Sequence, residues 1–306
     1  MKGALLNMLS ESGDVISGQQ LSERLGISRV SVWKHLQQLQ EFGYRIDAGP
    51  KGYRLRKRPD IPYPWEFPEW EDRIHYFSKV ASTMDAARDL ARKGCPHLTV
   101  VVADRQTKGR GRMTRTWQSA GGGLYFTMVT RPALAPMEVA RVNFAVSLEL
   151  AGAVKTLLAV HARVKWPNDI LVNERKLVGI LSEMEGEADR IHHLNIGVGI
   201  NVNNNPTPRE PNAVSLKELT GKRVSRKDIL ANFLDRFQNR LDKGLDRGVI
   251  QEWKACTDTI GRRVRVETVR DVFEGTARDV DENGALVLEL EDGSEQRVIY
   301  GDCFHQ

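Results

Sequence analysis

Cysteine is scarce. Cys95, Cys256 and Cys303 are the only three in 306 residues, odd in number and without C-x-x-C spacing. That excludes a disulfide framework, argues against a zinc site and fits a reducing cytoplasm better than an oxidising compartment. No apolar run approaches the roughly 20 residues of a membrane span. The apolar stretch at 4–9 is too brief for the core of a secretory signal, so neither export nor membrane insertion is expected. The Gly-Lys-Ser/Thr ending of a P-loop is missing, as are a G-x-G-x-x-G opening a helix after a strand, any Ser-His-Asp or Cys-His pattern, internal repeats and low-complexity tracts. The common nucleotide folds and the nucleophilic hydrolases lose support with them. What remains is ordinary globular composition, 41% hydrophobic and 28% charged, in a chain long enough for two or three domains.

The net charge of +5 is localised. Residues 1–58 hold ten basic side chains against five acidic ones, and the rest of the chain balances. A basic surplus confined to the first fifth of a chain is the footprint of a small module facing a polyanion. Within it, 18–25 reads as a short helix ended by Gly26, and Ser28 caps a second helix that buries Leu36, Leu39 and Phe42 until Gly43 stops it. That is a helix-turn-helix. Residues 44–55 follow as two short strands about Gly49-Pro50-Lys51-Gly52, a wing. Ser28, Arg29, Ser31 and Lys34 near the start of the second helix, with Lys51 at the wing tip, are the candidate DNA contacts. Such units also serve as protein-docking modules, and that alternative stays open here.

Residues 59–73 lose hydrophobic periodicity and gather Pro59, Pro62, Pro64 and Pro68 with Trp65, Phe67 and Trp70, an extended connector whose aromatics suggest packing on a surface. From 74 to 254 strand and helix patterns mix. A helix with a Ser82–Asp85 capping box covers 81–94, a long amphipathic helix follows Val139 to Leu157, and a helix at 225–241 closes the region. Strands are expected at 98–103, 124–129, 162–165, 170–172, 177–183 and 194–201. Turn-linked strands with interspersed helices imply a mixed α+β sheet with one face covered, not a doubly wound parallel sheet. Near Trp253 the texture changes to short strands and turns through Gln306, and 255–306 form a third domain.

Three segments carry chemistry. In Gln106-Thr-Lys-Gly-Arg-Gly-Arg-Met-Thr-Arg-Thr-Trp117, the glycines at 109 and 111 permit tight folding while Arg110, Arg112 and Arg115 supply planar cationic forks for phosphate oxygens. The other reading is a disordered Arg-Gly segment of the RNA-binding kind. In Val164-Lys-Trp-Pro-Asn-Asp-Ile-Leu171, Lys165 at a strand end before a rigid turn offers a fixed ammonium, and Asn168 and Asp169 are placed to face a nucleotide or hold Mg²⁺. Taken alone, the segment reads first as a plain hairpin turn. In Gly197-Val-Gly-Ile-Asn201, glycines interrupt an apolar strand, marking either a packing gap or close approach of a ligand. Ser82 and Thr83 sit at a helix N-terminus, where backbone N–H groups hold acceptor-rich ligands. His192 and His193 lack a third ligand and read as structural.

Taken together and in this order, Gly109-Arg-Gly-Arg112 with Arg115-Thr-Trp117, Lys165-Trp-Pro-Asn-Asp169, Arg175-Lys-Leu-Val-Gly-Ile-Leu181 and Gly197-Val-Gly-Ile-Asn201 resemble the biotin–protein ligases. With the winged helix-turn-helix in front, the chain is similar to the bifunctional biotin ligase and biotin operon repressors of bacteria. The resemblance implies a class II synthetase-like catalytic domain and, in Gly275-Thr-Ala277, Asp281, Gly284-Ala-Leu286 and Gly293, a small SH3-like β barrel at the C-terminus. It implies biotin and ATP as substrates with Mg²⁺, a biotin carboxyl carrier protein as acceptor, operator DNA as a partner and a homodimer. Carried over by position, Ser82, Thr83, Met84, Gln106, Arg110, Gly111, Arg112, Lys165, Gly197 and Gly199 would contact biotin. Arg110, Arg112, Arg115, Trp117, Lys165, Asn168, Lys176 and Asn201 would contact ATP or the adenylate, with Lys165 and Arg112 catalytic. A lipoate–protein ligase, faintly suggested by Ala120-Gly-Gly-Gly-Leu-Tyr125, and a ligand-sensing transcription factor without turnover are the alternatives.

Overall fold

A computed structural model of the chain describes residues 1–113 and 115–306 and divides into two compact units, Met1–Asp72 and Arg73–Gln306. In the first unit α1 (Lys2–Glu11) buries Leu5, Leu6 and Leu9, so the apolar stretch at 4–9 is the inner face of a helix that sequence reading passed over. α2 (Gly18–Leu25) starts on a reciprocal cap, Ser17 with Gln20, and ends on Gly26 in the left-handed region at φ 65°. α3 (Arg29–Glu41) opens on Ser28, whose Oγ accepts the Ser31 N–H at 3.1 Å, and buries Val32, Leu36 and Leu39. β1 (Arg45–Gly49) and β2 (Gly52–Lys57) form the antiparallel wing. Tyr53 in β2 also exchanges both backbone bonds with Ile16 ahead of α2, which ties the wing to the helices.

The aromatics of the proline-rich stretch pack, as expected of them. Tyr63, Phe67 and Trp70 are buried, the Tyr63 and Trp65 rings stack 4.7 Å apart, and Phe42 of the α3 C-terminus meets both. Trp65 Nε1 donates to the Tyr44 hydroxyl at 2.9 Å, and that hydroxyl donates to Glu66, which also pairs with Arg58 at 3.2 Å. Rings of this size bury too much apolar surface to stay in water, so residues up to Asp72 cluster with the first unit.

In the second unit β3 (Ile74–Phe77), α4 (Thr83–Arg92) and β4 (Thr99–Ala103) make a crossover that sets β3 parallel to β4. The chain continues through β5 (Leu124–Thr130), α5 (Val139–Leu158), β6 (Arg163–Lys165), β7 (Asp169–Val172), β8 (Arg175–Gly186) and β9 (Ile191–Ile200). These strands form one mixed sheet in the order β3-β4-β5-β9-β8-β7-β6, antiparallel everywhere but β3/β4. After α6 (Leu216–Thr220), α7 (Arg226–Lys243) and α8 (Gly248–Cys256) come β10 (Arg263–Glu267), β11 (Val272–Val280), β12 (Leu286–Glu289), β13 (Glu295–Val298) and β14 (Asp302–His305).

Three expectations need correction. The large sheet is covered on both faces at its centre: α4 packs Ala87 and Ala91 on Val101 and Val129, while Phe126, on the alternate face of β5, meets Phe233 of α7 at 5.5 Å. Every residue of β4 and β5 is buried, the continuous apolar run of a strand buried on two sides. Residues around Trp253 are helical, because α8 turns Val249, Ile250 and Trp253 inward and stacks Trp253 on Phe144 at 4.4 Å. The C-terminal strands form an antiparallel sheet in the order β13-β12-β11-β10-β14, and among the described residues its edge strands β13 and β14 do not pair, so the ladder is not a closed barrel. Among the described residues, no helix is long and apolar enough to cross a membrane.

Burial also sets an acid limit. His97, His193 and His305 are each pushed below the ordinary imidazole value of 6.5, in every case chiefly by burial. His97 Nδ1 accepts the Arg131 N–H at 2.9 Å, a bond that needs its lone pair. With the folded value below the unfolded one, the unfolded chain takes up protons first. The stability is therefore complete above about pH 6.5 and lost as the pH falls through the folded values. Melting curves at about pH 7.5, 6.5 and 5.5 should show a falling midpoint; a flat profile would mean that these rings protonate freely in the fold.

Candidate functional site

Beyond the N-terminus of α4, the sheet opens into a cleft of about 510 Å³ lined by residues from 83 to 305. Of the positions singled out for ligand contact, Thr83, Met84, Gln106, Arg110, Gly111, Arg112, Arg115, Trp117, Lys165, Asn168, Lys176, Gly197, Gly199 and Asn201 all line it. Ser82 does not. It is 1% exposed and serves as the cap of α4, accepting the Met84 N–H at 3.2 Å. The expected return bond from Asp85 is replaced by ion pairs of Asp85 with Arg88 at 2.7 Å and Arg110 at 3.1 Å. Thr83 is held from two sides: Gln106 Oε1 accepts its N–H at 2.8 Å and its hydroxyl at 3.1 Å, and Thr127 Oγ1 donates to Thr83 Oγ1 at 2.8 Å.

The glycines of the floor admit side chains of this chain. Gly179 of β8 and Gly199 of β9 face each other in register, and the Trp117 indole lies across both. A Cβ at Gly199 would stand 2.4 Å from Trp117 Nε1, and one at Gly179 would stand 2.7 Å from Trp117 Cζ3. Met84 Sδ lies across Gly197 in the same way, 2.6 Å from where a Cβ would sit. Lys176 Nζ is 5.5 Å above the indole and 2.7 Å from Asp169 Oδ1. Trp117 Nε1 is buried without a hydrogen-bond partner among the described residues, an unspent donor inside the cleft.

The three loop arginines, expected to act alike on phosphate, are held differently. Arg110 bridges Asp85 at 3.1 Å and Glu183 at 3.0 Å, so its guanidinium anchors the loop to α4 and β8. Arg115 reaches Asp302 at 2.8 Å and lies 5.8 Å over the Phe304 ring, so it clasps the loop to β14. Arg112 meets no carboxylate within 4 Å among the described residues. It donates to Asn168 Oδ1 at 3.2 Å, and its pKa is lowered, first by burial and also by Arg115, against the pull of Asp302 and Asp169. Thr114, between Arg112 and Arg115, lies outside the described residues.

Lys165 ends β6 directly opposite Asp169, across a turn with a cis Trp166–Pro167 peptide, and also has no carboxylate within 4 Å among the described residues. The two asparagines expected at the nucleotide are occupied. Asn168 accepts from Arg112 and donates to Ile180 O; Asn201 Oδ1 accepts from Asn204 at 2.8 Å and its Nδ2 reaches Lys176 O at 3.5 Å. Asp169 is spent on Lys176 and Asp302 on Arg115. Among the described residues no group of three or more His, Cys, Asp or Glu side chains converges as a metal site would require, and the donor set does not fit a resident Mg²⁺.

Sequence reasoning missed β14 as a wall: Asp302, Cys303, Phe304 and His305 all line the cleft. The Cys303 thiol is pushed up to about 12 by burial, so it is no nucleophile. The cleft thus offers a glycine floor, apolar cover from Met84 and Trp117, and two cations, Lys165 and Arg112, that have no carboxylate within 4 Å among the described residues, features suited to an anion with an apolar body.

On the first unit, Ser28 and Ser31 bond to each other, Oγ to Oγ at 3.0 Å, while Arg29, Lys34 and Lys51 are exposed with no carboxylate within 4 Å among the described residues. Arg24, Arg54 and Arg56 differ, each being ion-paired, with Glu11, Asp14 and Asp47 respectively.

Residues 76–201 match the biotin/lipoate A/B protein ligase family, residues 3–54 an HTH domain and residues 259–306 the biotin protein ligase C terminal domain. The bifunctional ligase/repressor BirA of Bacillus subtilis is 34% identical, covering 94% of each chain. That of Escherichia coli is 28% identical, over 92% of this chain and 90% of the relative. Among solved structures, the Aquifex aeolicus biotin protein ligase in complex with biotin and ATP is 28% identical with a TM-score of 0.65, covering 76% of this chain and 98% of that one. The chain therefore belongs to the biotin–protein ligase family.

Proposed function

We propose that this chain joins biotin to ATP in the cleft, giving biotinyl-5′-AMP and pyrophosphate, and then passes biotin to a lysine of a biotin carboxyl carrier protein in the cytoplasm. The observation that carries the assignment is charge: among the described residues, Lys165 and Arg112 in the cleft have no carboxylate within 4 Å, while Arg110, Arg115 and Lys176 are paired. In the first step a carboxylate oxygen of biotin attacks the α-phosphorus as the bond to the bridging oxygen of pyrophosphate breaks. Lys165 stabilises the charge gathering between carboxylate and phosphate, and Arg112 neutralises the phosphoryl oxygens. In the second step the acceptor amine attacks the acyl carbon, AMP leaves and the nitrogen loses its proton. No enzyme nucleophile is needed, because positioning and charge neutralisation suffice. Met84 and Trp117 cover the apolar parts of the ligand, and Trp117 Nε1 has a donor to give. Mg²⁺ would enter with the triphosphate it accompanies, and no step here depends on a protein carboxylate holding it.

Transfer of labelled biotin to a carrier domain tests the reading. Pyrophosphate exchange that follows lipoate instead of biotin would move the chain to lipoate ligation, and no exchange with either would leave a ligand-sensing repressor. The first unit, where Arg29, Lys34 and Lys51 have no carboxylate within 4 Å among the described residues, is the DNA-binding half, acting as a dimer on an inverted repeat when the adenylate is bound. A footprint insensitive to biotin and ATP would remove that regulation.

The clasp between Arg115 and Asp302 gives a separate prediction. Asp302→Ala frees the loop from β14 and should release biotinyl-5′-AMP about fivefold faster, the effect of an ion pair worth about 1 kcal/mol, with no change in the melting midpoint beyond about 2 °C. Release followed by chase with unlabelled biotin checks it, and an unchanged rate would show that the clasp does not restrain the loop.

A further inference from the structure

α3 has an outward face that the first unit does not use. Val30 is 61% exposed and Trp33, one turn on, is 47% exposed, while Val32, Leu36 and Leu39 fill the opposite side. Gln37 continues the outward stripe at the next turn and is exposed. Positions 30, 33, 34 and 37 share one helix face by spacing. Arg29 and Lys34 flank the apolar pair, neither with a carboxylate within 4 Å among the described residues, and no acidic residue occurs from Ser28 to Gln40.

An apolar pair set between uncompensated cations matches one surface closely. The major groove of B-DNA has phosphates along its rims and, on its floor, the C5-methyl groups of thymine as its main apolar features. A protein surface would want the apolar pair without two desolvated cations beside it. We propose that Trp33, with Val30 beside it, is the base-reading element of α3 and packs on thymine methyl groups, while Arg29 and Lys34 hold the phosphates. This assigns specificity to side chains that are neither cationic nor hydrogen-bonding to bases, and it rests on the DNA-binding half of the proposed function.

The test uses the full chain with biotin and ATP present. A duplex pool of random sequence is selected for binding, and each thymine of the enriched site is then replaced by uracil, which removes only the methyl group. At one or more positions the parent should lose roughly fourfold in affinity per methyl, the transfer free energy of one such group. Trp33→Ala should bind the thymine and uracil duplexes alike at those positions, with the slope of affinity against salt unchanged because the phosphate contacts remain. Val30→Ser serves as the second variant, and labelled-biotin transfer reports that each variant is folded. Thymine-to-uracil penalties equal in parent and Trp33→Ala overturn the inference, as does an equal loss on every duplex. A pool from which the parent enriches nothing overturns the DNA-binding reading itself. Capture of α3 by a protein that competes with no duplex would assign the face to a protein instead.

Discussion

Lys165→Ala is expected to lower biotin-dependent pyrophosphate exchange by about 10²–10³-fold, the cost of deleting one preorganised charge at a developing anion, while the melting midpoint stays within about 2 °C of the parent. The ammonium makes no ion pair among the described residues, so its removal breaks no internal partnership and leaves no unpaired carboxylate behind. Arg112→Ala should behave in the same direction with a second consequence, because Asn168 Oδ1 loses its donor. A structural role would instead show as a shifted midpoint with exchange falling only in proportion to unfolded protein. If Lys165→Ala exchanged pyrophosphate within about threefold of the parent, the electrostatic assignment would fail.

The second large effect is on stability. Trp166 is 1% exposed; its Nε1 donates to Gly284 O at 3.0 Å, and its N–H donates to Thr259 Oγ1 at 3.0 Å. One residue thus joins the β6–β7 turn to two points of the C-terminal segment. Trp166→Ala should cost about 3–5 kcal/mol. A truncated side chain leaves a cavity, and the Gly284 carbonyl loses its donor. Urea or thermal unfolding reads this as a midpoint lowered by roughly 10 °C in a unit of this size. Trp166→Phe, which keeps most of the volume and loses the N–H, should cost about 1–3 kcal/mol, separating the hydrogen bond from the packing. A drop of under about 3 °C for Trp166→Ala would show that the turn is held by other contacts.

What could be read from the chain is what is written locally. Ser28 and Gly26 announce their helix ends by capping chemistry, and the wing follows from Gly49-Pro50-Lys51-Gly52. The strands carrying Lys165 and Gly197 show as apolar runs between turns. The cleft residues were legible because arginine and glycine close together have few purposes besides an anion. Partnerships across the chain were not. Arg110 finds Glu183 and Arg115 finds Asp302 through the folded topology, so no local feature tells which of three similar arginines pairs with a carboxylate. The glycines of β9 raised the same ambiguity, and Trp117 and Met84 fill the space they leave. α1 escaped notice because it begins at Met1 without a side-chain cap. The open C-terminal sheet escaped because the barrel came from the resemblance, and no local pattern in these short strands says whether the edges meet.

The wall contributed by β14 bears on how the enzyme is made. A ribosome delivers residue 83 long before residue 305, and both line one cleft. The residues of the compact first unit are complete by Asp72, before any strand of the large sheet has been synthesised. The cleft, by contrast, takes one wall from β14, which follows the α4 end of the cleft by more than 200 residues. A nascent chain stalled before Asp302 would lack the side of the cleft that Asp302, Cys303, Phe304 and His305 form.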